Sequence, residues 1–324
     1  MSEQTRDSDT PWPASVAILG AGGLIGSGVL YEIVTSGLCR HVTVSDPREG
    51  LVRAHAWDVT EAAVTAGLSA PRIDVVPAEE LPPADVTVVA ASRPEEPGRS
   101  RLTFATVNWE LLRTLVPAVE HSVGDDGTLL LLSNPIDILA ECLRRTSSLA
   151  AHQVLGYSLN DSTRFRSAVA RELGVGVERV EAWVLGQHGD AQVPIFSQIR
   201  VDGAHVALDE AARRRVVEDI EGFFARWSAL QSGRTSGWSS PKGVARMLHG
   251  MRDGGVLPTS IATDGTGYAP GSSFLGLPAR LGRSGVVGVE EWSLSGHEYG
   301  ALERAAELVT GVADELTGDV ANLP

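Results

Sequence analysis

The sequence predicts an α/β chain: a doubly wound parallel sheet in the front half, then a mixed α+β domain. Three observations predict it. Up to about residue 159, short β-rich runs alternate with alanine- and leucine-rich stretches of helical length. Runs such as V-T-V-V-A-A and L-L-L-L are apolar on both faces, as strands covered by helices on each side must be. Beyond residue 160 the alternation gives way to a different pattern. Taken in order, the front strands are expected at Ser15–Gly20, His41–Asp46, Ile73–Pro77, Asp85–Ala91, Thr128–Ser133 and Val154–Leu159, with helices such as Leu24–Gly37 and Arg101–His121 between them. Strand, helix, strand in succession implies parallel pairing. In the back half Val177–Leu185 and Ile195–Leu208 read as antiparallel strands, the second turning at Asp202-Gly203. Helices follow at Glu210–Gln231 and Pro241–Arg252, then a Gly/Pro-rich β-like region from Val256 to Val289, then a last helix from Val289 to Thr317. The expected division is a polar, proline-punctuated flexible tail at 1–13, a first domain at 14–155 and a second at 156–324, joined without a linker and tightly packed.

Composition narrows the partners. With 324 residues, 43% of them hydrophobic, the chain can bury a large core. Its formal net charge of -14 repels phosphate backbones and anionic membranes, so nucleic acid and membrane are not expected partners. No run of eighteen apolar residues and no apolar leader is visible, and the two cysteines, Cys39 and Cys142, have neither disulfide nor zinc-ligand spacing. A reducing, cytoplasmic setting without a metal is the expectation.

The first chemical signal is Gly20-Ala21-Gly22-Gly23-Leu24-Ile25-Gly26, between the first strand and the first helix. Glycines there allow a tight turn and a close approach of backbone to a pyrophosphate, which the helix N-terminus then faces with free N–H groups. Gly20, Gly23, Leu24, Ile25 and Gly26 are therefore candidate cofactor contacts. Twenty residues past Gly26 the second strand ends in Asp46. A carboxylate there accepts hydrogen bonds from adenine ribose hydroxyls and repels a 2′-phosphate, which favours NAD over NADP, although Arg48 two residues on softens the preference.

Three further segments carry polar groups suited to catalysis. Gly186-Gln187-His188-Gly189-Asp190 follows an apolar strand and leaves an imidazole open to a cleft. Asn160-Asp161-Ser162-Thr163-Arg164-Phe165-Arg166 opens a helix, with Asp161 and Arg164 on one face. Pro97-Gly98-Arg99-Ser100-Arg101 follows the fourth strand.

Together with S-N-P-I-D at 133–137, these motifs resemble, in order and spacing, the lactate/malate dehydrogenase family of NAD-dependent L-2-hydroxy acid dehydrogenases. The resemblance implies a Rossmann cofactor domain, a substrate-binding catalytic domain, a small 2-hydroxy/2-oxo acid substrate and a homodimer or homotetramer. It also implies roles. His188 exchanges a proton with the reacting oxygen, and Asp161 orients His188 and stabilises its imidazolium. Arg164 grips the C1 carboxylate through a fork that lysine lacks. Arg101, on a loop that closes over substrate, polarises the carbonyl. Asn134 bonds the reacting oxygen beside the cofactor, Asn108 is a second polar contact near the cofactor, and Ser236 lies near a substrate-touching position that Thr235 or Ser239 fits equally well.

One position departs from the family. Substrate choice is read six residues before the loop arginine, where arginine suits a dicarboxylate and glutamine a monoacid; here stands Glu95. Two like charges about 4 Å apart repel by about 4 kcal/mol at an effective dielectric of 20. A second substrate carboxylate is then disfavoured, and a neutral, hydroxylated or amine-bearing side chain suits the pocket. A loop shifted to bring in Arg93 or Arg99 would restore an ordinary malate dehydrogenase. A non-catalytic NAD-binding protein is the rival of another class, and the intact set of His188, Asp161, Arg164 and Arg101 argues against it. A metal-dependent NAD-using glycosidase would need ligands that Cys39 and Cys142 do not supply.

Overall fold

The structure, a computed structural model, describes residues 12–93, 101–231, 237–269 and 271–318, with the side chains of Arg101 and Phe224 outside the description. The front half is β1 (Ser15–Leu19), α1 (Leu24–Thr35), β2 (His41–Ser45), α2 (Glu49–Thr65), β3 (Arg72–Val75), β4 (Val86–Val89), α3 (Arg101–Val123), β5 (Thr128–Leu131), α4 (Ile136–Thr146) and β6 (Val154–Tyr157). These strands pair in parallel in the order β3-β2-β1-β4-β5-β6. All residues of β4, β5 and β6 are buried, which is why their sequences are apolar without alternation. The order reverses between β1 and β4, and the crevice beyond the strand ends at that switch point is where such sheets bind ligands.

The back half is α5 (Leu159–Leu173), β7 (Val180–Glu181), β8 (Val184–Gly186), β9 (Gln192–Pro194), β10 (Arg200–Val201), β11 (Ala204–His205), α6 (Glu210–Ala229), α7 (Ser239–Asp253), β12 (Val256–Ala262), β13 (Phe274–Gly282), β14 (Gly285–Val289) and α8 (Gly296–Gly318). It does not build a separate large sheet. β12 pairs antiparallel with β6, and β13, β8 and β9 extend the row, so one eleven-stranded sheet runs through both halves. The boundary at 155/156 falls inside β6. A continuous apolar core spans the same range, from Ile18 through Leu131 and Leu155 to Phe274. A smaller cluster around Phe165, Val180 and Val216 lies under the three-stranded sheet β11-β10-β7.

Two expectations for the back half are corrected. The single strand at Val177–Leu185 is a helical turn followed by β7 and β8, which belong to different sheets. Its residues are β-rich in composition, but β7 pairs β10 whereas β8 pairs β13 and β9, and these long-range partners break the run. The last helix starts at Gly296, not Val289. Ser295 Oγ accepts the Glu298 N–H at 3.3 Å while Glu298 Oε2 accepts the Ser295 N–H at 2.8 Å, a capping box that sets the start. The turn at Asp202-Gly203 is as expected: both residues have positive φ and join β10 to β11. Among the described residues no helix is long and apolar enough to cross a membrane.

Candidate active site

The glycine loop turns sharply out of β1. Gly20 has φ +86°, and a Cβ there would stand 2.5 Å from the Ala91 nitrogen. A Cβ on Gly26 would stand 2.1 Å from the Gly20 oxygen, so the first turn of α1 packs directly on the loop. Gly23 is the N-cap and supplies no side-chain cap to the helix N–H groups, while Leu24 beside it is exposed and Ile25 half-buried against the core. Uncapped donors, a positive helix end and bare backbone fit a pyrophosphate. Asp46, just past β2, sits against this loop and accepts the Gly22 N–H at 3.0 Å. It also accepts three bonds from Arg48, from the main-chain nitrogen at 3.0 Å, Nε at 2.9 Å and Nη2 at 3.2 Å. Burial works against the Asp46 charge, but these donors outweigh it and hold the carboxyl below its usual range. Asp46 is therefore ionised beside the cradle, with Arg48 on the oxygens that would meet a ribose.

His188 sits in the loop between β8 and β9. Gln187 closes that loop, its Nε2 donating to the His188 carbonyl at 2.5 Å and its Oε1 accepting the Ala191 N–H at 3.3 Å. The imidazole Nδ1 lies 2.5 Å from Asp161 Oδ2. Asp161 is buried in the first turn of α5, where the helix dipole also favours its charge. Ser162, next along α5, accepts the Val184 N–H at 2.9 Å and ties the helix to β8. Burial opposes the His188 imidazolium, yet the charge and hydrogen bond of Asp161, joined by the charge of Asp137, raise its pKa above 6.5. Burial likewise opposes the Asp161 carboxylate, and His188 with Arg164 more than offsets it, so Asp161 stays below the usual carboxylate range. With Nδ1 facing Asp161, Nε2 is the nitrogen left to meet a substrate.

Arg164, one turn along α5, places Nη1 3.1 Å from Asp161 Oδ1 and stacks its guanidinium 4.5 Å over the Phe223 ring of α6. The aromatic face restrains the fork without using its donors. Asn134 is exposed at the end of β5. Asn108 is turned into the protein. It is 1% exposed, its Oδ1 accepts from the Arg93 nitrogen at 2.8 Å and Ser92 Oγ at 3.0 Å, and its Nδ2 donates to the Phe104 carbonyl at 3.1 Å. Its bonds are spent on main chain and a neighbouring hydroxyl, so it braces the segment after β4. Arg101 opens α3, with its side chain outside the description. Glu95 and Ser236 lie outside the described residues. Two contributors escaped the sequence reading: Phe223, for which the pattern carries no signal, and Asp137, the last residue of the S-N-P-I-D motif, whose Oδ2 accepts the His188 N–H at 2.6 Å.

A nucleotide cradle at the switch point, together with a histidine–carboxylate pair and its neighbouring arginine, fits a dinucleotide-dependent oxidoreductase. The chain belongs to the lactate/malate dehydrogenase family. The model of that family's NAD-binding domain matches residues 14–156, and that of its alpha/beta C-terminal domain matches residues 159–224. Over 310 residues it is 32% identical to a malate dehydrogenase of Halobacterium salinarum, covering 93% of this chain and 99% of that one. Over 308 residues it is 34% identical to an L-lactate dehydrogenase A of Hordeum vulgare, covering 90% of this chain and 84% of that one. The crystal structure of Cryptosporidium parvum malate dehydrogenase shares the fold, with a TM-score of 0.86 at 23% identity, covering 94% of this chain and 99% of that one.

Proposed function

We propose that the chain interconverts a small 2-hydroxy acid and its 2-oxo acid with NAD, His188 carrying the proton. The observation that carries this reading is the 2.5 Å pairing of His188 with buried Asp161, one helical turn from Arg164. The α1 cradle, with Gly20, Gly23, Gly26 and Asp46, would hold NAD, which when bound would supply or accept the hydride at C2. In reduction the carbonyl oxygen takes the proton from His188 Nε2, and in oxidation His188 takes it back. Asp161 fixes the ring and stabilises the imidazolium formed. Arg164, restrained over Phe223, bonds the C1 carboxylate. Asn134 bonds the reacting oxygen, and Arg101 polarises the carbonyl. The division into a nucleotide-binding part at 14–155 and a substrate part at 156–324 belongs to the same reading. So does a cytoplasmic homodimer or homotetramer, supported by two buried free thiols and by the exposure of Trp57 and Trp238 at 75% each.

His188→Asn tests the proton role. Turnover should fall by about 10²–10⁴-fold with NADH binding retained; surviving turnover would show the role to be misassigned. The distal group of the substrate rests on Glu95, which favours a neutral, hydroxylated or amine-bearing side chain. Ordinary malate dehydrogenation is the second reading, favoured by the malate dehydrogenase at 32% identity. A panel of pyruvate, oxaloacetate and longer 2-oxo acids separates them: oxaloacetate preferred by about a hundredfold, roughly the 2.7 kcal/mol of an uncompensated charge contact, overturns the Glu95 reading.

A further inference from the structure

Asp137 lies behind His188 and has no part in the proton transfer just described. It is fully buried in the first turn of α4. One oxygen, Oδ2, accepts the His188 main-chain N–H. The other, Oδ1, is buried beside the Ser260 hydroxyl of β12, and neither atom has any other hydrogen-bond partner among the described residues. The sheet makes room for this carboxylate. Gly156 of β6, Ser260 of β12, Gly276 of β13 and Gly186 of β8 stand side by side in register, a row of small residues across four strands. A Cβ on Gly156 would come within 2.4 Å of Ile136 Cγ2 and 2.7 Å of Ser260 Cβ, so the start of α4 rests on this row.

Accepting one N–H requires one neutral oxygen. A fully buried carboxylate whose second oxygen meets at most one hydroxyl is a costly way to provide it, unless the charge itself serves something nearby. The nearby group that gains from a negative charge is the imidazolium of His188. We propose that Asp137 is a positioning residue for the proton carrier: it anchors the His188 main chain and, with Asp161, frames the imidazole between two carboxylates. This rests on the reading of His188 as the proton carrier. The groups facing the pair are Asp161 and Arg164 from α5, Ser260 from β12 and His188 itself. The next carboxylate along α4, Glu141, is tied to Arg144 and Arg145. Burial pushes the Asp137 pKa up to about 6, against the Ser260 hydroxyl and the His188 N–H and charge, which pull it down. The three groups titrate as a coupled set.

Asp137→Asn keeps the shape and an oxygen for the His188 N–H but removes the charge. Its His188 pKa, read by NMR of ring-labelled histidine and assigned through His188→Asn, should fall by about one unit. Reduction of the 2-oxo acid, which needs the imidazolium, should then fail at lower pH and run about tenfold slower above the new pKa. Oxidation should extend to lower pH by the same interval, with NADH affinity unchanged. Ser260→Ala leaves the carboxylate in place but removes the hydroxyl that eases its ionisation, so a smaller shift of the same sign is expected. An Asp137→Asn protein that is slower at every pH with its His188 pKa unmoved overturns the proposal, and if that variant does not fold, an unmoved His188 pKa in Ser260→Ala does. Turnover surviving in His188→Asn would instead sink the proton-carrier reading, whatever the histidine titration gave.

Discussion

Arg48 shows how a residue read from the sequence acquires a role only when its rotamer is seen. The spacing from Gly26 located Asp46 beside the cradle. It did not reveal that Gly22 and Arg48 supply four donors to a carboxylate with about four acceptor sites. A ribose hydroxyl must therefore displace the Arg48 side chain, which is 59% exposed and held by an ion pair worth about 1 kcal/mol at most. Arg48→Ala should tighten NADH by about two- to fivefold and weaken NADPH, which loses a nearby cation; fluorescence titration with both cofactors measures this. An unchanged ratio between them would mean that the guanidinium already leaves when cofactor binds. Asn108 and Asp137 illustrate the same limit. Both are polar residues in suggestive places. Asn108 turned out to serve main chain fifteen residues upstream, and Asp137 a main-chain N–H fifty-one residues downstream, and no local pattern encodes such partners.

The elements of the front half were legible because most strands are short β-rich runs bounded by turns, and most crossovers are long enough to show a helix. β7, β8 and β9 were not: with two or three residues each, they carry too little periodicity, and partners elsewhere in the chain decide which sheet they join. The start of α8 was readable in principle, since Ser295-Gly-His-Glu298 is a capping-box pattern. One tight element contact belongs to the cradle. Gly26→Ala would drive a methyl into the Gly20 carbonyl oxygen. We expect about 1–3 kcal/mol of lost stability, in the range of other overpacked sites, with at least a tenfold loss of NADH affinity as the loop shifts. Thermal melting and NADH titration check both; an unchanged melting temperature with full affinity would show that the loop yields without consequence.

At the scale of the whole molecule, 41 acidic against 27 basic residues leave a net charge of -14, and self-repulsion opposes the compact state. Salt shortens the Debye length from about 30 Å at 0.01 M to about 10 Å at 0.1 M. Calorimetry across that interval should show the melting temperature rising by about 2–4 °C; a fall would mean that screened surface ion pairs outweigh the relieved repulsion. The halves themselves were visible in the sequence as a change of pattern near residue 160, but their union was not, because pairing of Thr259 with Tyr157 and of Ser260 with Gly156 joins segments about a hundred residues apart. β6 is therefore a seam, bonded to β5 on one side and β12 on the other. A fragment ending at residue 155 would tear that seam and bare an apolar strand edge, which invites aggregation. Chimeras that trade cofactor halves between relatives should remain soluble only when β12 and β13 come from the same parent as β6.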